Sequence, residues 1–206
     1  MRIICKTRRL VPEELDSCIR VLRQSGILCY PTETFYALGI DPWSEPARDK
    51  LYALKEREAG KELPLIAADV AMVERFCLTG NPFFKILSER FWPGPLTLLL
   101  PARDSHTTCA VRISAHPIAR QISHAFQSPI VSTSANRSGE PPVQNPQDFS
   151  PEFLEGVEIM IDSGVCPGGL PSTIVSLTGN HPRVLREGAI SSTEIDSAYE
   201  AAKKQD

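Results

Sequence analysis

The sequence predicts an α/β domain, a three-layer or open-sheet arrangement around a mixed β-sheet. Three observations predict it. Amphipathic stretches alternate with short apolar runs, the pattern of strand and helix units. Several apolar runs follow one another directly toward the C-terminus, so not every connection is a helix. The 206 residues, 42% hydrophobic and 23% charged, suffice for one domain with a full core. No repeat, low-complexity tract or linker divides residues 1–206.

In chain order, residues 3–5 read as a short edge strand. Residues 12–24 place Leu15, Cys18, Ile19 and Leu22 on one helical stripe, with Pro12 in the first turn and Gly26 at the exit. Residues 27–30 form a short buried strand that Pro31 is expected to stop. Helix patterns recur at 45–54, 70–77, 82–91 and 117–126. Strand patterns recur at 65–67, 96–100, 110–113, 129–131, 157–161, 173–177 and 184–186. The segment Phe91-Trp92-Pro93-Gly94-Pro95 reads as a packed aromatic end of a helix before a turn. Residues 191–206 read as a C-terminal helix or tail.

The composition excludes several classes. A net charge of -3 argues against a surface devoted to nucleic acid, although a local basic cleft is compatible with it. The six cysteines form no C-x-x-C pair and no Cys/His cluster with zinc spacing, and they read as reduced core thiols of a cytosolic protein. His106, His116, His124 and His181 are scattered, with no nucleophile beside them, and read as structural or surface residues. No signal-peptide core and no membrane-spanning run is present, so a cytoplasmic location is expected.

Four polar segments follow apolar runs, and each reads equally well as a surface turn. Residues 30–39 carry hydroxyls and Glu33 into an aromatic stretch. Lys55-Glu56-Arg57-Glu58-Ala59-Gly60-Lys61 is either a solvated helix end or an anion site. Lys55 and Arg57 share a face only if the helix stops near Lys55. Residues 130–139 run from a strand into hydroxyls, and strand alternation would put Ser132, Ser134 and Asn136 on one face. Residues 162–173 hold three glycines, without a P-loop or a dinucleotide fingerprint. Arg112 lies within a strand pattern, where it is either snorkelling at an edge or buried against an anion such as a carboxylate. Arg186 invites the same two readings.

Together these segments resemble the YrdC/TsaC family of threonylcarbamoyl-AMP synthases. The matching runs, in family order, are YPTETFYALG at 30–39, KER at 55–57, FWPGPLTLLL at 91–100 and VRISAHP at 111–117. STSANRSG at 132–139, PGGLPSTIV at 167–175 and VLREGAI at 184–190 complete them. The resemblance covers about residues 8–190. It implies a twisted open mixed sheet flanked by helices around a basic concave cleft.

The resemblance also implies site roles. Lys55, Arg57, Ser134 and Asn136 are its catalytic residues and hold the ATP phosphates. Thr108 and Arg186 join them on the nucleotide side. Thr32, Arg112, Ser132 and Ser172 take threonine. The implied reaction joins L-threonine, bicarbonate or CO₂ and ATP into L-threonylcarbamoyladenylate and diphosphate, the first step of threonylcarbamoyl-adenosine modification of tRNA. Mg²⁺ is expected with ATP, with no protein metal ligands singled out. The implied partners are a downstream threonylcarbamoyl-transferase complex and, weakly, tRNA or double-stranded RNA, with no membrane. Glu33 is the nearest candidate for a general base.

The chain departs from the family pattern at four positions. Glu58 stands where Pro is usual and lies beside Arg57, where it can blunt that residue's pull on phosphate. Ser114 replaces the Pro of V-R-x-P. Asp and Gly are common where this chain has Glu33 and Ala37. Two other functions fit such a cleft: a non-catalytic RNA-binding module, and a related carbamoyl-adenylate or carbamoyl-transfer enzyme.

Overall fold

The structure is a computed structural model that describes residues 1–58, 60, 63–103 and 107–203. Its elements in chain order are β1 (Arg2–Ile4), α1 (Pro12–Arg23), β2 (Leu28–Pro31), β3 (Tyr36–Gly39), α2 (Glu45–Lys55), β4 (Leu65–Ile66), α3 (Val70–Phe76) and α4 (Pro82–Phe91). There follow β5 (Leu96–Pro101), β6 (Thr108–Arg112), α5 (Pro117–Phe126), β7 (Ile130–Val131), β8 (Thr133–Ser134) and α6 (Pro151–Glu155). β9 (Ile159–Asp162), β10 (Thr173–Ser176), β11 (Arg183–Arg186) and α7 (Ser192–Lys203) complete the chain.

The strands make two mixed sheets in place of the one expected. The first runs β1-β9-β2-β3-β8 and the second β11-β10-β5-β6-β4-β7. The division falls at Ser132. Before it, β7 pairs antiparallel with β4; after it, β8 pairs antiparallel with β3. Ser132 itself donates its N–H to the Pro64 carbonyl at 2.7 Å. One residue of chain therefore hands the backbone from one sheet to the other. The sheets stay joined there, because Val131 N–H donates to Ile40 O at 3.0 Å.

Both faces of the central strands are covered, the signature of a layered α/β fold. In β2, Leu28 and Tyr30 enter one apolar cluster while Cys29 enters the other. α1 and α5 supply Cys18, Ile19, Leu22, Ile118, Ala119 and Ile122 to the first cluster. α2, α4 and α7 supply Ala47, Leu51, Phe83, Leu87 and Ile195 to the second. β2 ends at Pro31 as expected, with the proline inside the strand and not just beyond it. The proline lies opposite Tyr36, where a missing N–H is tolerated. β3, β8 and α6 are additions to the expected elements. No helix among the described residues is long and apolar enough to cross a membrane.

Candidate active site

α2 meets the condition set by its sequence. It ends at Lys55, because Glu56 turns left-handed with φ 51° and Arg57 N–H closes back on Tyr52 O at 3.0 Å. The last helical residue is almost fully buried. Its ammonium donates to the carbonyls of Ser134 and Asn136, the second at 2.7 Å, and its own carbonyl accepts from Ser138 N–H at 2.8 Å. Arg137 Nε pairs with Glu56 at 2.8 Å on the outside of the same junction. Burial, and then the neighbouring Arg57 charge, push the Lys55 pKa down to about 8.

The strand-to-turn segment beyond Val131 does not keep strand alternation. Ser132 and Asn136 are buried while Ser134 is exposed, and Asn136 N–H folds back onto Ser134 O at 3.0 Å. The three side chains therefore do not share one face, because the chain changes sheets at Ser132 and turns after Ser134. Asn136 donates both amide hydrogens to carbonyls, of Arg137 and Glu140, each at 2.8 Å. That fixes the amide orientation and leaves no N–H for a phosphate oxygen, while Oδ1 is buried without a partner. In this arrangement Asn136 braces the turn.

A second cluster surrounds Arg112, the last residue of β6. The guanidinium is buried and donates to one carboxylate oxygen of Glu33; Ser114 Oγ donates to the other. Ser114 Oγ in turn accepts the His116 N–H at 3.1 Å, which sets its hydroxyl to donate toward Glu33. Glu33 is presented by a tight turn in which the Thr32 hydroxyl donates to Phe35 O at 2.7 Å and accepts the N–H groups of Thr34 and Phe35. The Thr32 hydroxyl is thus engaged in its own turn.

Ser172, just before β10, closes the cluster. Its hydroxyl lies 2.9 Å from Thr97 Oγ1, and Arg186 donates to its carbonyl at 2.7 Å. Arg186 is exposed as a whole, yet partial burial and then the Arg112 charge lower its pKa. The β5–β6 register, with Leu98 opposite Val111, sets Thr97 and with it Ser172 beside Arg112. The Tyr30 hydroxyl donates to Val131 O at 3.2 Å; burial drives its pKa well above the ordinary phenol range, against the smaller opposing effects of a Ser132 hydrogen bond and the Arg112 charge.

Arg57 is half-buried and Glu58 exposed, next to one another beyond α2; both have interactions of their own. Thr108 opens β6 and lines a cavity of about 220 Å³ with Trp43, Tyr52, Gly60 and Leu65. Ala59, Lys61 and His106 lie outside the described residues. Among the described residues, no group of three or more His, Cys, Asp or Glu side chains is placed to hold a metal ion. Sequence reasoning did not single out Ser114, Thr97 or Tyr30 for the site. Ser114 carried a signal, being a departure at the position beside Arg112.

The comparisons with known proteins converge. The Sua5/YciO/YrdC family model, described as telomere recombination, matches residues 20–188. The chain is 38% identical over 173 residues to a threonylcarbamoyl-AMP synthase of Chromohalobacter salexigens, covering 80% of this chain and 93% of that one. It is 38% identical over 181 residues to the synthase of Stenotrophomonas maltophilia, covering 81% of this chain and 95% of that one. Pyrococcus abyssi Sua5, solved with L-threonine, superposes with a TM-score of 0.86 at 30% identity, over 96% of this chain. The chain spans 60% of that longer protein. On the strength of the family model and these identities, the chain belongs to the Sua5/YciO/YrdC family.

Proposed function

We propose that the protein is a threonylcarbamoyl-AMP synthase, which makes L-threonylcarbamoyladenylate and diphosphate from L-threonine, bicarbonate or CO₂ and ATP. The observation that carries the proposal is the Arg112 cluster. A buried guanidinium, a second arginine, a carboxylate and two serine hydroxyls meet from β6, β11, the Thr32 turn and the segment before β10. A small zwitterion with a hydroxyl has complementary charges and polarity. The relatives carry the synthase name, and one is solved with threonine.

In the reaction, the threonine amine captures CO₂ as an N-carboxylate. One of its oxygens attacks the α-phosphorus, and diphosphate departs. Aligning two anions is the main task, so fixed cations and backbone dipoles supply the catalysis. Arg112 takes the threonine carboxylate, with Ser132, Ser172 and the Thr32 turn around it. Arg57, Arg186 and the Ser134 turn face the phosphates, and Thr108 stands on the nucleoside side. Lys55 shapes the turn with two N–H groups and retains a third for phosphate. Mg²⁺ enters bound to ATP, as part of that substrate.

The cleft is proposed to be basic and the protein cytoplasmic. Its product would pass to a threonylcarbamoyl-transferase complex acting on tRNA, with weak tRNA or double-stranded RNA contact at most. The test is diphosphate release by the pure protein with ATP, Mg²⁺, threonine and bicarbonate. Release that needs both threonine and bicarbonate, and drops at least tenfold in Arg57→Ala, is the expected result. The tenfold figure follows from losing one charge-assisted contact to phosphate. Release indifferent to threonine or bicarbonate contradicts the proposal.

A further inference from the structure

We infer that Glu33 is the ammonium-binding, selectivity-determining residue of the amino-acid subsite. It receives the substrate's α-ammonium while Arg112 receives the α-carboxylate. This rests on the amino-acid reading of the Arg112 cluster.

The geometry argues for it in three steps. Glu33 and Arg112 are an ion pair in which the side chains are only 13% and 9% exposed, so both charges have left most of their water. A buried pair of this kind adds little to stability by itself, and its presence calls for another reason. Next, the pair is not free to scatter. One Glu33 oxygen is held by Arg112 and the other by Ser114, whose hydroxyl is aimed by the His116 N–H. A carboxylate oxygen accepts more than one hydrogen bond, so each still has capacity for an N–H donor. Arg112 places one nitrogen on Glu33 and has further N–H groups in its planar fork.

The third step is charge complementarity. A cation and an anion fixed side by side match an α-amino acid, whose carboxylate and ammonium sit on one carbon. The ligand binds as a second ion pair laid head-to-tail on the first, without leaving either protein charge alone. Before the ligand arrives, Glu33 also neutralises the buried Arg112 charge. The departure at Ser114 falls into place. A proline there would have no hydroxyl for the second Glu33 oxygen. Discrimination against acids that lack an amino group follows, because such a ligand leaves the braced Glu33 carboxylate unmatched.

The experiment compares two ligands by isothermal titration of the full chain. They are L-threonine and 3-hydroxybutanoate, which keeps the carboxylate and hydroxyl but lacks the ammonium. The native protein is expected to prefer threonine. Glu33→Gln, of the same shape, is expected to weaken threonine about tenfold and to leave 3-hydroxybutanoate nearly unchanged. Ser114→Ala, which keeps the charge but removes one brace, is expected to weaken threonine less. Equal weakening of both ligands in Glu33→Gln would make Glu33 a mere wall of the pocket and overturn the inference. Tightening of both would make it a competitor for Arg112 and overturn it equally. Threonine binding that is unchanged in Glu33→Gln removes the inference alone. A native protein that binds no threonine removes the amino-acid reading and the inference with it.

Discussion

The ammonium of Lys55, at the end of α2, lies 2.7 Å from the carbonyl oxygen of Asn136 and also donates to that of Ser134. The lysine of one family motif thus holds the backbone of the other. The helix end and the turn form one unit, closed from the opposite side by Ser138 N–H on the Lys55 carbonyl.

Replacing this lysine is therefore expected to cost stability as well as activity. Lys55→Met keeps the apolar stem but leaves the buried Asn136 carbonyl without its donor, while Ser134 O keeps the Asn136 N–H. A loss of about 1–3 kcal/mol is expected, the cost of one buried acceptor left unsatisfied. Urea unfolding of the two proteins measures it. A change below about 0.5 kcal/mol, the range of ordinary surface substitutions, would show that the clamp is not structural.

The same residue sets a pH dependence. Burial and Arg57 bring Lys55 down to about 8, so it is cationic below that pH and neutral above it. The charge that attracts phosphate is lost as pH rises through about 8. Because kcat/KM for ATP reports the free enzyme, it is expected to fall over that range. In Lys55→Arg the charge persists, and the fall is expected to disappear. The pH profile of both proteins decides the matter.

His116 gives a stability trend of its own. Its ring is buried with Nδ1 unpartnered, and burial, then Arg8, lower its pKa from 6.5 to about 4; Arg120 adds to this and Glu33 opposes it. Between these values the unfolded chain takes a proton that the folded chain refuses. Stability is therefore full above pH 6.5 and falls as pH drops toward 4. The loss is at most about 3 kcal/mol, at 1.36 kcal/mol per unit. Thermal unfolding across pH should show that this component is missing from His116→Gln.

Gly188 is a close-approach glycine. A Cβ there would sit 2.1 Å from the Pro171 carbonyl oxygen and 2.8 Å from the Ser172 carbonyl carbon. Both contacts are backbone, so the chain must shift where Ser172 meets Arg186. Gly188→Ala is expected to lose about 1–3 kcal/mol, the cost of overpacking, and to weaken threonine binding. Calorimetric unfolding and threonine titration measure the two effects separately.

The long elements were legible because their signals are local. The stripe of Leu15, Cys18, Ile19 and Leu22 needs only its own helix, and α4 and α5 occupy the expected 82–91 and 117–126. β3 carries no strand signal in the sequence, because Tyr36–Gly39 is four residues long, follows a polar turn and ends in glycine. The two-sheet division was hidden because β7 and β8 each have two residues, and only their partners tell them apart. Within the site, the stop of the helix at Lys55 was derivable as a requirement. The Glu33–Arg112 pair was not, since it joins residues 79 positions apart. The hydrogen-bond partners of Asn136 depend likewise on how the turn folds, which residue spacing does not encode.

The most direct measurement is mass spectrometry of a fresh reaction containing ATP, Mg²⁺, L-threonine and [¹³C]bicarbonate. The predicted result is one product that unites the threonine and AMP masses through a single labelled carbon, formed with one diphosphate per molecule. ATP consumption without that labelled adduct, or binding of all substrates without turnover, would contradict the proposed synthase.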